Sequence, residues 1–332
     1  MKKEIMLGNA AVARGLYEAG CQVISSYPGT PSTEITEEAA KYPELYCEWA
    51  PNEKVATEVA VGASIAGARS FCAMKHVGLN VAADPLFTVS YTGVNGGMVL
   101  AVADDQGMHS SQNEQDSRHY AQAAKVPMLE PSDSEECKEF TRLAYELSEQ
   151  FDTPVILRLS TRVSHSQSTV EWKEPKPQQL KEYVKNPQKY VMMPAMAKQR
   201  HVVVEQRMAK LRAYAENCPF NRIERVSSSK IGVITSGITY EYVKEVLGET
   251  VNILKLGLVH PLPQKLIQNF AKDMDTVYVV EELDDVIETF CKKIGVSVIG
   301  KELFPWIGEF SQTLLKEKLL HKTEDHFTYP EE

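Results

Sequence analysis

Short apolar stretches alternate along this chain with segments of helical periodicity, and most of the apolar stretches run straight into a polar loop. Few architectures tolerate that alternation. Residues 10–19 read as a helix closed by Gly20, 21–27 as a strand, 32–41 as a helix that Ser32 can cap, and 53–69 as a long alanine-rich helix. Residues 71–74, 98–103, 126–129 and 154–159 read as strands, with a helix from Ser132 or Ser134 to about residue 150 between the last two. Strand and helix in turn imply an α/β fold: a mainly parallel sheet with helices on both faces. Of the 332 residues, 43% are apolar and 24% charged, which is ordinary globular usage, and the length suits about two domains.

The composition changes after Ser168. The stretch EWKEPKPQQLKEYVKNPQKY is polar and carries three prolines, so it reads as a linker crossing a surface, with a helix over about residues 202–217 behind it. A second α/β block starts at Ile231, with strands at 231–235, 251–256 and 277–280 and helices at 240–247, 263–272 and 285–294. After Phe310 a helix and a frayed end are expected. The expected organisation is an α/β domain over 1–168, a linker with its helix over 169–229, a smaller α/β domain over 230–310 and a tail over 311–332.

Several function classes drop out. No apolar run approaches the roughly 18–20 residues of a membrane span, and the N-terminal lysines are followed at once by an acid rather than an apolar core. The net charge of −9 argues against non-specific nucleic-acid binding. The six cysteines are scattered, with no Cys-x-x-Cys, so neither structural zinc nor an iron–sulfur cluster is expected within the chain, and a cytoplasmic location is.

Five polar loops carry what chemistry there is, and each leaves two readings open. Tyr27-Pro28-Gly29-Thr30-Pro31-Ser32 lies between a strand and a helix, where ligands bind in doubly wound sheets; it also suits a stiff turn with a cap. Glu53 opens a helix on which Ala56, Ala60, Ala63 and Gly67 share its face; this is a carboxylate at a positive helix end, or a capping acid on a packed helix. Lys75-His76-Val77-Gly78-Leu79-Asn80 is a strand-end loop with a lone histidine. Asp104-Asp105 begins a dense polar run whose spacing matches no calcium loop and reads better as a substrate-facing loop. Arg162 suits a bidentate carboxylate contact or a structural ion pair.

In order, YPGTPSTEI, EWAPNEKVA, VGASIAGA, MKHVGLNVAADP, VADDQGMHSSQNEQDSR and LRLSTRVSH resemble the large subunit of the indolepyruvate branch of the thiamine-diphosphate-dependent 2-oxoacid:ferredoxin oxidoreductases, densely over residues 5–165 and loosely over 230–300. The resemblance implies a pyrimidine-binding α/β domain followed by a smaller transketolase C-terminal-like domain. It makes Glu53 the thiamine-activating glutamate, because Gly62 follows it by the nine positions the family shows; Glu58 fails that spacing. A carboxylic acid on the pyrimidine nitrogen favours the imino form of the cofactor, which removes the thiazolium proton. Thr30 then corresponds to the hydroxyl on the substrate carboxylate, Gly78 and Asn80 border the cofactor, and Arg162 supports the substrate side. No metal ligand is carried over.

Two departures shape the expectation. Members that use pyruvate carry an arginine where this chain has Asp104 and Asp105, which leans the substrate toward an arylpyruvate. The family's Gly-Asp-Gly motif and clustered cysteines are missing from this sequence, and the chain stops shortly after the second block, as a separate subunit or a fragment would. The expected cofactor is therefore thiamine diphosphate with Mg²⁺, shared with a partner chain that holds the diphosphate-binding domain. Iron–sulfur clusters are expected on a ferredoxin-like partner, with coenzyme A as cosubstrate, in a dimer or larger assembly. This chain alone is expected to be inactive. A non-catalytic scaffold, or half of a thiamine-dependent decarboxylase releasing an aldehyde, remain the alternatives.

Overall fold

The computed structural model describes residues 2–177 and 180–321; the expected frayed end lies outside them. A seven-stranded sheet carries the first block. Across it run Leu258–His260, Met128–Leu129, Val155–Ser160, Met98–Asp104, Ser70–Lys75, Val23–Ser26 and Tyr46–Trp49. Every neighbouring pair is parallel except the first. Every residue of Met98–Asp104 and of Val155–Ser160 is buried, as expected of central strands covered on both faces.

Alternate strand residues serve opposite faces. Val99, Ala101 and Ala103 pack with Val12, Leu16, Phe140 and Tyr145; Met98, Leu100 and Val102 pack with Ala60 and Leu86. The second of these cores continues into Ile234, Leu254 and Phe270 of the second block, so the two blocks share apolar packing. The second sheet runs Thr276–Val280, Ile231–Ser236, Asn252–Leu256 and Arg222–Glu224, with only the last strand antiparallel. Leu258–His260 leaves that block and pairs with Met128–Leu129 in the first sheet. The boundary drawn at 230 therefore divides the sequence pattern but not the sheets.

Other elements depart from the sequence reading. Lys3–Leu7 is a strand, paired antiparallel with Gln167–Glu171 across the boundary drawn at 168. Residues of the expected Lys75–Asn80 loop form the helix His76–Val81, followed by Ala83–Thr92. The connecting helix is Pro194–Ala215; it begins well before residue 202 because a proline is well suited to a first helical turn. The linker is docked: the Lys176 N–H donates to Glu18 O at 2.9 Å and the Lys181 N–H to Gly67 O at 3.0 Å. The Glu53–Ile65 helix stops short of 69 because Gly67 turns at φ +105°, where a Cβ would sit 1.9 Å from the Lys181 carbonyl oxygen.

Candidate functional site at the strand ends

The carboxyl ends of the parallel strands gather the polar loops at one end of the first sheet. Asn52 caps the Glu53–Ile65 helix, its Oδ1 accepting from the Val55 N–H at 2.9 Å, so Glu53 is the first helical residue. The positive end of the helix favours a carboxylate there. From the neighbouring strand, the His76–Val81 helix brings Gly78 against it. A Cβ on Gly78 would lie 2.5 Å from Glu53 Oε1 and 2.7 Å from its Cγ, so only glycine lets the two helix starts close around this side chain. Glu53 is half-buried, and among the described residues no donor hydrogen-bonds to its carboxylate. Gly62 faces open space and Glu58 is exposed.

Thr30 stands exposed at the tip of a braced turn. The Gly29 N–H donates to Thr33 Oγ1 at 2.8 Å, Ser32 Oγ donates to Gly29 O at 2.9 Å, and Asn9 Nδ2 donates to Pro31 O at 2.7 Å. Ser110 Oγ donates to Thr30 O at 3.3 Å, and Lys75 Nζ donates to Ser110 O at 3.1 Å. The Lys75 stem lies 3.3 Å from the position a Cβ on Gly29 would take. Asn80 is exposed, its Oδ1 accepting from the Tyr120 hydroxyl at 2.5 Å. His76 is buried, with Nε2 3.0 Å from Asn113 O; it ties the helix to the long polar loop.

The remaining sequence candidates are engaged by other side chains. Arg162 takes the ion-pair alternative: Nε donates to Glu309 Oε2 at 2.7 Å and Nη2 to Glu309 Oε1. The two acids expected to face substrate point into the protein instead. Asp104 is buried and accepts from Arg158 Nε at 2.8 Å and from the Ser117 hydroxyl and N–H. Burial pushes its carboxyl up, against the pull of Arg158. Asp105 ties its own loop shut, accepting from Ser111 Oγ at 2.6 Å, the Ser110 N–H at 2.8 Å and Thr161 Oγ1 at 2.8 Å. Burial pushes its carboxyl up, but those donors more than offset it and hold it at about 2. Sequence reasoning named no role for Lys75 or Ser110. Lys75 sits at a strand end beside His76, but its neighbours come from loops far off in sequence.

The rim is open and apolar on one side. Tyr27, Trp49, Val81 and Phe87 are each between 39% and 46% exposed. A half-buried carboxyl group cradled by a glycine, with no donor on it among the described residues, fits the ring nitrogen of a pyrimidine. For a metal-bound diphosphate the fit is absent at this end. The one trio of metal-ligating groups among the described residues is Asp116, His119 and Asp284, and Asp116 is already held by Arg118 at 2.5 Å.

The first block is a doubly wound, almost wholly parallel sheet, joined to a smaller α/β unit. Two solved structures share it: the 2-oxoglutarate:ferredoxin oxidoreductase of Magnetococcus marinus superposes with a TM-score of 0.80 at 19% identity, over 96% of this chain and 65% of that one. A split-gene transketolase superposes with a TM-score of 0.51 at 16% identity, over 88% and 86%. The family model described as pyruvate flavodoxin/ferredoxin oxidoreductase, thiamine diphosphate-binding, matches residues 14–219, and the chain belongs to that family. Indolepyruvate oxidoreductase subunit IorA of Pyrococcus abyssi is 44% identical over 93% of this chain, and that of Archaeoglobus fulgidus 44% over 90%. The chain spans about half the length of these relatives, 51% and 50%. The 2-oxoglutarate synthase subunit KorA of Archaeoglobus fulgidus is 23% identical over 92% of this chain and 97% of its own length. No helix among the described residues is long and apolar enough to cross a membrane.

Proposed function

We propose that this chain supplies the thiamine-activating carboxylate and the 2-oxoacid contacts of a shared site, in an assembly that oxidatively decarboxylates an arylpyruvate to its acyl-CoA and passes two electrons to ferredoxin. The observation that carries it is the Glu53–Gly78 contact, a half-buried carboxylate kept free of internal donors by a glycine that leaves it room. Thiamine diphosphate, when bound, supplies the electron sink for loss of CO₂. Glu53 holds and returns a proton at a carboxylate oxygen facing the ring nitrogen. Gly78 lets the ring approach, and Asn80 borders it from the same helix. Thr30 presents its hydroxyl toward the substrate carboxylate. Tyr27 and Trp49 exclude water once a partner covers them.

Mg²⁺, the diphosphate and the iron–sulfur clusters belong, in this reading, to partner chains, with coenzyme A accepting the acyl group. The aromatic substrate is supported by the 44% identity to indolepyruvate relatives against 23% to the 2-oxoglutarate relative. In the reconstituted complex Glu53→Gln is expected to lower turnover by about 10³-fold, within the range for a positioned acid–base group, with co-purification of the partners unchanged. Turnover within tenfold of wild type would overturn the role of Glu53. Aldehyde release without reduced ferredoxin would select the decarboxylase alternative.

A further inference from the structure

We infer that Lys75, and not Arg162, receives the carboxylate of the 2-oxoacid beside Thr30. The inference rests on the proposed function and adds the cation that this reading needs.

The cations at the strand-end rim are almost all engaged. Arg162 is bidentate on Glu309, and His109 Nε2 lies 3.2 Å from the same carboxylate. Lys54 Nζ pairs with Asp84 at 2.9 Å, and His165 Nε2 lies 3.6 Å from Glu34. Arg158 and Arg118 are buried against Asp104, Glu130, Asp116 and Glu281. Lys75 differs. Its ammonium donates to the Ser110 carbonyl at 3.1 Å, and among the described residues no carboxylate lies within ion-pair distance of it. An ammonium has three donors, so two remain.

Its position suits the role. The Lys75 stem rests on Gly29, next to Thr30 in the braced turn. Ser110, whose carbonyl accepts from Lys75, holds its hydroxyl between the Thr30 carbonyl and Asp105 Oδ2, 3.3 Å from each. Thr30, Ser110 and Lys75 therefore form one connected group. Directly after Lys75 the chain enters the helix whose Gly78 packs on Glu53. A cation so placed meets the carboxylate end of a substrate whose keto carbon reacts near Glu53.

The chemistry predicts how the loss should appear. Thiamine diphosphate, when bound, would take up the electron pair of the C–C bond that breaks, and the carboxylate would leave as neutral CO₂. The negative charge that Lys75 holds is full in the bound substrate and fades as the bond breaks. Removing Lys75 should weaken substrate binding more than it slows the bound complex.

Lys75→Met keeps the stem on Gly29 and removes the charge. In the assembled enzyme it should raise KM for the 2-oxoacid by about tenfold or more with kcat within about threefold, while Lys75→Arg recovers most of the loss. Arg162→Met should change KM by less than about threefold, as expected of a largely exposed ion pair. As a second readout, an arylacetate should inhibit wild type more strongly than its amide, and Lys75→Met should lose that preference. Unchanged KM and an unchanged preference in Lys75→Met would overturn the inference, as would Arg162→Met being the more damaging change. If Lys75→Met does not assemble, Lys75→Gln gives the same two readings. A wild-type complex without thiamine-dependent decarboxylation would instead defeat the functional reading itself, before any variant is compared.

Discussion

At the end of Met98–Asp104 the chain turns Asp104 inward onto Arg158 at 2.8 Å; at the end of the neighbouring Ser70–Lys75 strand the Lys75 ammonium finds, among the described residues, only a backbone carbonyl as partner. The first turn seeds a buried network. Arg158 Nη1 also meets Glu130 at 2.5 Å, and Arg118 holds Asp116 at 2.5 Å and Glu281 at 2.6 Å, joining the first block to the second. Burial raises the carboxyls of Asp104 and Glu281, and that of Glu282 to about 7. The second turn seeds the rim around Glu53, Thr30 and Lys75, where, among the described residues, the carboxylate has no donor and the ammonium no acid within ion-pair distance. Large shifts in titration often mark functional sites. In this molecule they cluster in the buried network that joins the two blocks, and Glu53 and Lys75 sit elsewhere.

That contrast can be broken by experiment. The largest effect is expected at Arg118. Arg118→Met strands Asp116 and Glu281 in the interior and should cost about 3–5 kcal/mol of stability by denaturant unfolding, while the fraction that stays assembled keeps its turnover per site. Glu53→Gln should do the reverse, losing turnover with stability intact. If both variants lost stability and turnover together, the two regions would not be separable.

Glu282 comes next. Desolvation raises its carboxyl to about 7, Glu130 and Glu309 push the same way, and the Phe310 N–H at 2.7 Å and the charge of Arg158 oppose it. An unfolded glutamate loses its proton near the ordinary ~4.3. The folded chain keeps the proton longer, so this contribution to stability is whole below that value and falls away as pH rises toward 7. The full span is roughly 3.5 kcal/mol. Glu282→Gln should flatten the decline in stability between about pH 5 and 7.5, followed by unfolding midpoints across that range. An unaltered slope would place the titration on another group. A smaller cost to the fold than at Arg118 is expected at Gly78. Gly78→Ala places a methyl 2.5 Å from Glu53 Oε1 and should cost about 1–3 kcal/mol through overpacking. Turnover should nevertheless drop about tenfold or more, because Glu53 must move to make room.

The sequence announces what is local. The apolar run around Val99–Val102 and the small-residue face of the Glu53 helix are readable because each depends on residues a few positions apart. The His76–Val81 helix escapes because Gly78 and Asn80 are poor helix formers, and packing overrides that preference. What stays hidden is the partner of each charge. Whether Arg162 faces a substrate or an ion pair is decided by Glu309, 147 positions away, and whether Asp104 faces solvent is decided by Arg158, 54 positions away. The Glu53–Gly78 contact is legible only as a family pattern; its physical cause, a Cβ that would not fit, needs coordinates.

The strand Leu258–His260 ties synthesis of the molecule to its architecture. Met128 waits for His260, and Leu129 for Leu258, before that edge of the first sheet is covered. A chain growing from its N-terminus cannot finish its first sheet until more than a third of its second block has been made. Until then a short strand edge and the apolar face later shared with Ile234, Leu254 and Phe270 stay wet. The two blocks are thus poor candidates for modular shuffling: a gene cut at residue 230 would separate a sheet from its own last strand.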